Sequence, residues 1–123
     1  MLNIKRLFGS FGFAFEGLAH AFKRDQNLRI HATTAFVVII AGLFLRIDTL
    51  EMLAVIIVIG MVFIAELVNT AIEQIIDFVV QERKAEAKIV KDVAAGMVFI
   101  AAITSVLVGV LVFIPKILLV LTK

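Results

Sequence analysis

Apolar positions along the chain fall into one short stripe followed by three long runs. Ile30 to Leu45 is apolar apart from His31, Thr33 and Thr34. Leu50 to Ala65 is apolar apart from Glu51, and Val93 to Ile114 holds no charge. Each run suits a helix of about 20 residues, the length that crosses a bilayer. The second continues in helical register to Val80, roughly 30 residues and about 45 Å, so it must overshoot the hydrocarbon. The expected spans are about 28–46, 50–80 and 92–115, with a polar turn at "RIDT" and Pro115 marking the end of the third. Ahead of them, Phe8, Phe11, Phe15, Leu18 and Phe22 recur at spacings of three and four, a stripe that predicts an amphipathic helix over about 3–24. It lies either in the interface or along the bundle, at the membrane surface in both cases, although Gly9, Gly12 and Gly17 weaken its helical propensity.

Composition agrees with an all-α membrane protein. The 123 residues are 63% hydrophobic with a single proline, and the mean hydropathy is +1.14. Three spans leave no room for a soluble domain, so residues 1–123 read as one unit. Cysteine is absent, which excludes disulfides and thiol chemistry. Glu16, Lys23, Arg24 and Asp25 interrupt the N-terminal region, so a cleaved signal peptide is not expected. Basic residues cluster before span one and over 83–91, which places those segments in the cytoplasm and the 46–51 turn outside. Lys116 and Lys123 then fall outside, against the rule. In span three, Ala101, Ser105 and Gly109 recur at intervals of four, a packing surface that makes self-association plausible.

The chemistry begins where the second run turns acidic. In "AELVNTAIEQIID", Glu66, Asn69, Glu73 and Asp77 fall within an arc of about 80° on one helix face. The stripe crosses the expected cytoplasmic boundary, Glu66 and Asn69 just inside the lipid and Glu73 and Asp77 just beyond. Ionisable residues at that depth are costly and point to function. On the same side, "KRDQNLRIH" and "AKIVKD" offer Asp25, Arg29, His31, Lys88, Lys91 and Asp92. Carboxylates beside lysine suit Mg²⁺ and phosphate, and phosphoryl transfer needs a metal, a cation and a group to receive the nucleophile's proton. Neither a G-x-x-x-x-G-K-[ST] loop nor a strand-linked G-x-G-x-x-G is present. His20 and His31 alone do not make a metal site.

"ELVNTAIEQIID" resembles the E-x-x-N-[ST]-A-I-E-x-x-x-D signature of the prokaryotic diacylglycerol kinase family, which includes undecaprenol kinases. "AKIVKDVAAG" and "FEGLAHAFKRDQNLRIH" are similar to two further motifs of that family, in the same order. The resemblance implies a homotrimer of three-span subunits with a surface helix, in the bacterial cytoplasmic membrane, its composite active sites facing the cytoplasm. It implies an ATP-dependent lipid kinase that uses Mg²⁺ and has no nucleic acid partner. Carried over by position, Glu66 is the base for the lipid hydroxyl, with Asn69 beside it. Asp25 and Glu73 hold Mg²⁺, and Arg6, Asp77, Glu82, Lys91 and Asp92 join them around the nucleotide. Asn27, Arg29 and His31 adjoin the lipid headgroup with Glu66. Two departures stand out: Asp25 replaces the family's frequent glutamate, and "QERK" replaces its S-E-Y-H, so that only Glu82 matches. "NLRIH" resembles the undecaprenol kinase branch more than the diacylglycerol branch, making undecaprenol the first expected substrate and diacylglycerol the second.

Two other classes fit the residues alone. A small proton- or ion-conducting oligomer would use Glu66 and Glu73 as a relay. A non-catalytic assembly subunit would leave the acidic stripe merely solvated.

Overall fold

A computed structural model describes residue 1 and residues 3–122. Its four helices are α1 (Ile4–Arg24), α2 (Gln26–Phe44), α3 (Thr49–Val79) and α4 (Ala85–Leu121). Three of them, α2, α3 and α4, are long and apolar enough to cross a membrane.

Capping chemistry sets most of the boundaries. Asn3 starts α1 by accepting the amide of Arg6 at 3.2 Å. A single residue, Asp25, both ends α1 and starts α2; its extended backbone breaks the helix and its Oδ1 accepts the amide of Asn27 at 2.8 Å. Asp48 and Glu51 form a reciprocal capping box at the head of α3.

Between α2 and α3 the amides of Arg46 and Ile47 return to the carbonyls of Leu43 and Gly42 at 3.2 and 3.1 Å, a Schellman closure. Gly42 gives Ile47 room there, since a Cβ would lie 2.9 Å from Ile47 Cδ1 and push that side chain aside. The left-handed position goes to Arg46, with φ of 52°. A non-glycine residue in that region costs about 1–2 kcal/mol. Arg46→Gly should therefore raise the unfolding midpoint in detergent by a few degrees, by up to about 1 kcal/mol after glycine's own entropy is subtracted.

The central helix is α3, which packs most extensively against α4 and next against α2. The buried positions are mostly small or β-branched: Ala35 on α2, Val55, Val58 and Val62 on α3, and Ala94, Ala101 and Val112 on α4. Most large apolar side chains point outward. That inversion suits a chain whose solvent is hydrocarbon, where close helix approach replaces the hydrophobic effect as the packing force.

Two features extend beyond the runs of hydropathy. The helix α4 starts at Ala85, and it continues through Pro115 to Leu121 instead of ending there. "AEAK" consists of strong helix formers, so the backbone stays helical where hydropathy falls. Past the proline, Lys116 Nζ meets Glu51 Oε2 at 3.1 Å, both half-buried, and ties the extension to the first turn of α3. The expected helix over 3–24 is present as α1, which buries only Ala21 and stacks Phe22 on Phe63 at 6.3 Å.

Candidate active site at the α1–α2 junction and α3

Glu66 is 1% exposed, Asn69 7% and Thr70 5%, the three buried polar residues of one face of α3. Helical spacing puts them together, and the junction of α1 with α2 covers them. Leu28, fully buried, anchors that junction. The Thr70 hydroxyl donates to Asp25 Oδ2 at 2.7 Å, so a side chain of α3 holds the carboxylate that joins the two preceding helices.

Asp25 is thus fixed through both oxygens. Burial pushes its pKa up, but hydrogen bonds from the Thr70 hydroxyl and from the amides of Asn27 and Leu28 outweigh burial and hold it below the ordinary 3.8. A depressed folded-state pKa stabilises the fold above the ordinary value, and this stabilisation is lost as pH falls through the lower folded value. Below about pH 4 the wild type should lose thermal stability more steeply than Asp25→Asn, which keeps the cap without the charge. Unfolding midpoints in detergent between pH 7 and 3 would show the two curves converging.

Glu66 is held differently. Neither of its carboxylate oxygens meets a well-aligned hydrogen-bond donor within the chain, although the side chains of Asn27 and Asp25 stand close, and Asn69 Oδ1 is likewise unpaired. Its polar neighbours are Asp25, Asn27 and Glu73. Asn69 Nδ2 donates to Glu73 Oε1 at 3.3 Å, turning the amide toward the exposed end of the stripe. Buried acceptors without donors are expensive, so this face awaits a donor or a cation from outside the chain. Among the described residues, no three acidic or histidine side chains converge as an all-protein metal cage. Mg²⁺ needs no such cage, because it takes one or two carboxylates and completes its shell with phosphate and water oxygens. Asp25 and Glu73, flanking the orphaned oxygens, fit that role.

Farther along the stripe the charges pair. Asp77 binds Lys91 and lies 3.9 Å from Arg24, while Lys88 binds Asp92 one turn away. Asp77, Glu82, Arg83, Lys84, Lys88 and Lys91 line a hollow of about 550 Å³ between the 80–84 loop and the start of α4, with four cations facing two anions.

Of the other expected residues, Asn27 stays beside Glu66, while Arg29, His31 and Arg6 make contacts elsewhere. Arg29 Nη1 donates to the carbonyls of Phe22 and Lys23 at 2.7 and 3.0 Å, closing the end of α1. Asn27 caps onto Asp25 and adjoins Glu66. His31 lines a separate cavity between α2, α3 and α4. Arg6 lies in the first turn of α1, roughly 27 Å along that helix from Arg24. Thr70 and Arg24 were not among the expected site residues. Thr70 sits four positions from Glu66, a spacing that already puts the two on one face.

The family model for prokaryotic diacylglycerol kinase matches residues 12–113. The undecaprenol kinase of Bacillus subtilis (strain 168) is 35% identical over 114 residues, covering 93% of this chain and 93% of that protein. The diacylglycerol kinase of Synechocystis sp. (strain ATCC 27184 / PCC 6803 / Kazusa) is 39% identical over 110 residues, covering 89% of this chain but 63% of that longer protein. With the signature residues gathered on one face and most of the chain matched, the chain belongs to the prokaryotic diacylglycerol kinase family and is a lipid kinase.

Proposed function

We propose that the chain transfers the γ-phosphate of ATP to the hydroxyl of a membrane lipid alcohol, undecaprenol in first place and diacylglycerol in second, at the cytoplasmic edge of the bacterial membrane. The observation that carries this reading is Glu66: a buried carboxylate with two unpartnered oxygens, beside carboxylates able to hold a metal. A hydroxyl arriving from the lipid would give it the missing donor.

In this reading Glu66 receives the hydroxyl proton as the lipid oxygen bonds to the γ-phosphorus and the bond to the bridging β–γ oxygen breaks, releasing ADP. Asn69 fixes the base's surroundings and, through Nδ2, the orientation of Glu73. Asp25 and Glu73 would hold Mg²⁺, which when bound supplies charge neutralisation at the β- and γ-phosphates. The hollow by the 80–84 loop takes the nucleotide, with Lys91, Asp92, Asp77 and Glu82 at its rim. Arg29, as the brace of α1, and Asn27 hold the entrance, and His31 faces the lipid.

The phenylalanines of α1 are exposed in the isolated chain, Phe8 and Phe15 about 70% each, and this face rests on the membrane in our reading. Arg6 lies too far along α1 for its own hollow, and we assign it to a neighbouring subunit's nucleotide in a homotrimer. The test is transfer of label from γ-labelled ATP in mixed micelles offering undecaprenol or diacylglycerol with Mg²⁺. Label in undecaprenol at the higher kcat/KM is the expected result, and label in neither lipid would overturn the reading.

A further inference from the structure

The last turn of α1 is pinned on several sides. Arg29 Nη1 holds the carbonyls of Phe22 and Lys23, the amide of Asp25 returns to the carbonyl of Ala21 at 2.8 Å, and Phe22 stacks on Phe63 of α3. Asp25 is tied to Thr70 through Oδ2. Arg24 therefore leaves the helix from a fixed backbone, one residue before the carboxylate that we assign to Mg²⁺. Its guanidinium Nη2 lies 3.9 Å from Asp77 Oδ2. Asp25 thus meets α3 at Thr70 and Arg24 meets it at Asp77, about 10 Å farther along the axis from Glu66.

Two cations share Asp77. Its Oδ1 holds Lys91 of α4 while its Oδ2 faces Arg24 of α1, so one positive charge is left over where the three helices meet. The Arg24 and Asp77 side chains are each about half exposed, which leaves the guanidinium open to an incoming anion. An exposed pair at that distance contributes little to stability and costs little to part. Asp77 also lines the hollow of the 80–84 loop. In the kinase reading the γ-phosphate reaches Glu66 and the nucleoside end lies in that hollow. The α- and β-phosphates then follow α3 toward Asp77, where Arg24 stands on the α1 side and Lys91 on the α4 side.

We propose that Arg24 is a further nucleotide-binding residue, whose guanidinium leaves Asp77 to grip the α- and β-phosphates while the neighbouring Asp25 holds the metal. The inference rests on the kinase reading and its hollow, and it brings the end of α1 to the nucleotide of its own subunit. Arginine suits the task because its planar fork spans two phosphate oxygens, which the point charge of lysine does not. Asp77 then serves the empty site by keeping the guanidinium in place.

The test uses the full chain in detergent with Mg²⁺ and measures by calorimetry the Kd of ADP and of the β,γ-methylene analogue of ATP. Arg24→Gln should weaken both by the same factor, about 10–100-fold, the range of lost hydrogen bonds between charged groups. Arg24→Lys should regain part of that loss, since the charge returns without the fork. At saturating ATP, kcat and the KM for the lipid alcohol should stay close to the wild-type values. The unfolding midpoint of Arg24→Gln should stay within a few degrees of the wild type, as befits an exposed pair. Lys23→Gln, which removes the same charge from the same turn, should leave both dissociation constants within about twofold, because surface charge in water acts only weakly.

Unchanged ADP affinity in Arg24→Gln would overturn the proposal and leave Arg24 as a tie between α1 and α3. So would an equal loss in Lys23→Gln, which would reduce the effect to surface charge. A loss confined to the ATP analogue would also overturn it, by putting the guanidinium on the γ-phosphate. A wild type that binds both nucleotides but transfers no label to any lipid alcohol would sink the kinase reading instead, and the titrations would still decide Arg24.

Discussion

Glu66→Gln should lower phosphate transfer to the lipid by about 10²–10⁴-fold, the range that general-base catalysis contributes. The amide matches the carboxylate in size but does not take up the hydroxyl proton at neutral pH. Loss of folding does not explain such a result, because the substitution removes a buried charge that has no partner within the chain. Neutralising an unpaired buried carboxylate relieves a desolvation cost, so the variant should be at least as thermostable as the wild type. Its KM for ATP should stay close to the wild-type value, since the hollow we propose for the nucleotide is built from other residues. Equal turnover by the two proteins would remove Glu66 as the base and favour a solvated or structural stripe.

The second large effect is expected at the junction of α1 with α2, where one carboxylate serves three purposes. Asp25 caps α2, accepts the Thr70 hydroxyl and, in our reading, holds Mg²⁺. Asp25→Ala should lose all three: about 1 kcal/mol from the cap and about 1–3 kcal/mol from the stranded Thr70 hydroxyl, together with nearly all activity. Asp25→Asn separates them, because asparagine caps as well as aspartate. That variant should keep most of the stability and still fail in metal-dependent turnover. Thr70→Val removes the tether alone and should weaken Mg²⁺ affinity about 10–100-fold, as loss of an outer-shell partner does, with Thr70→Ser restoring it. Direct Mn²⁺ titration followed by paramagnetic resonance reads the metal term without turnover. Unchanged Mn²⁺ affinity in both Asp25→Asn and Thr70→Val would leave Asp25 as a cap only.

The helices were legible because hydrocarbon imposes a simple code: runs of apolar residues long enough to span, broken where polar caps can satisfy the backbone. The stripe of Glu66, Asn69 and Glu73 was legible for the same reason, as period 3.6 alone puts the three on one face. Contacts that depend on folding back were not. Nothing local in "KRDQNLRIH" says that Arg29 turns to the carbonyls of Phe22 and Lys23, or that Asp25 joins two helices without a loop. Pro115 read as a stop, yet α4 continues past it, and the pairing of Lys116 with Glu51 needs residues 65 positions apart to meet across the bundle. The cavity between α2, α3 and α4 was equally hidden, because each wall reads as an ordinary apolar run and only their juxtaposition leaves a gap.

The length of α3 has one more consequence. Its head is fixed by the Asp48–Glu51 box, and Glu66 follows Thr49 by roughly 26 Å along the axis, slightly less than a typical hydrocarbon thickness of about 30 Å. The depth of the carboxylate is thus set by a ruler anchored at the opposite end of the helix. Lipids with longer acyl chains draw it into hydrocarbon, and shorter ones lift it toward water. The thickness of the surrounding hydrocarbon thus bears directly on how deep the carboxylate of α3 sits.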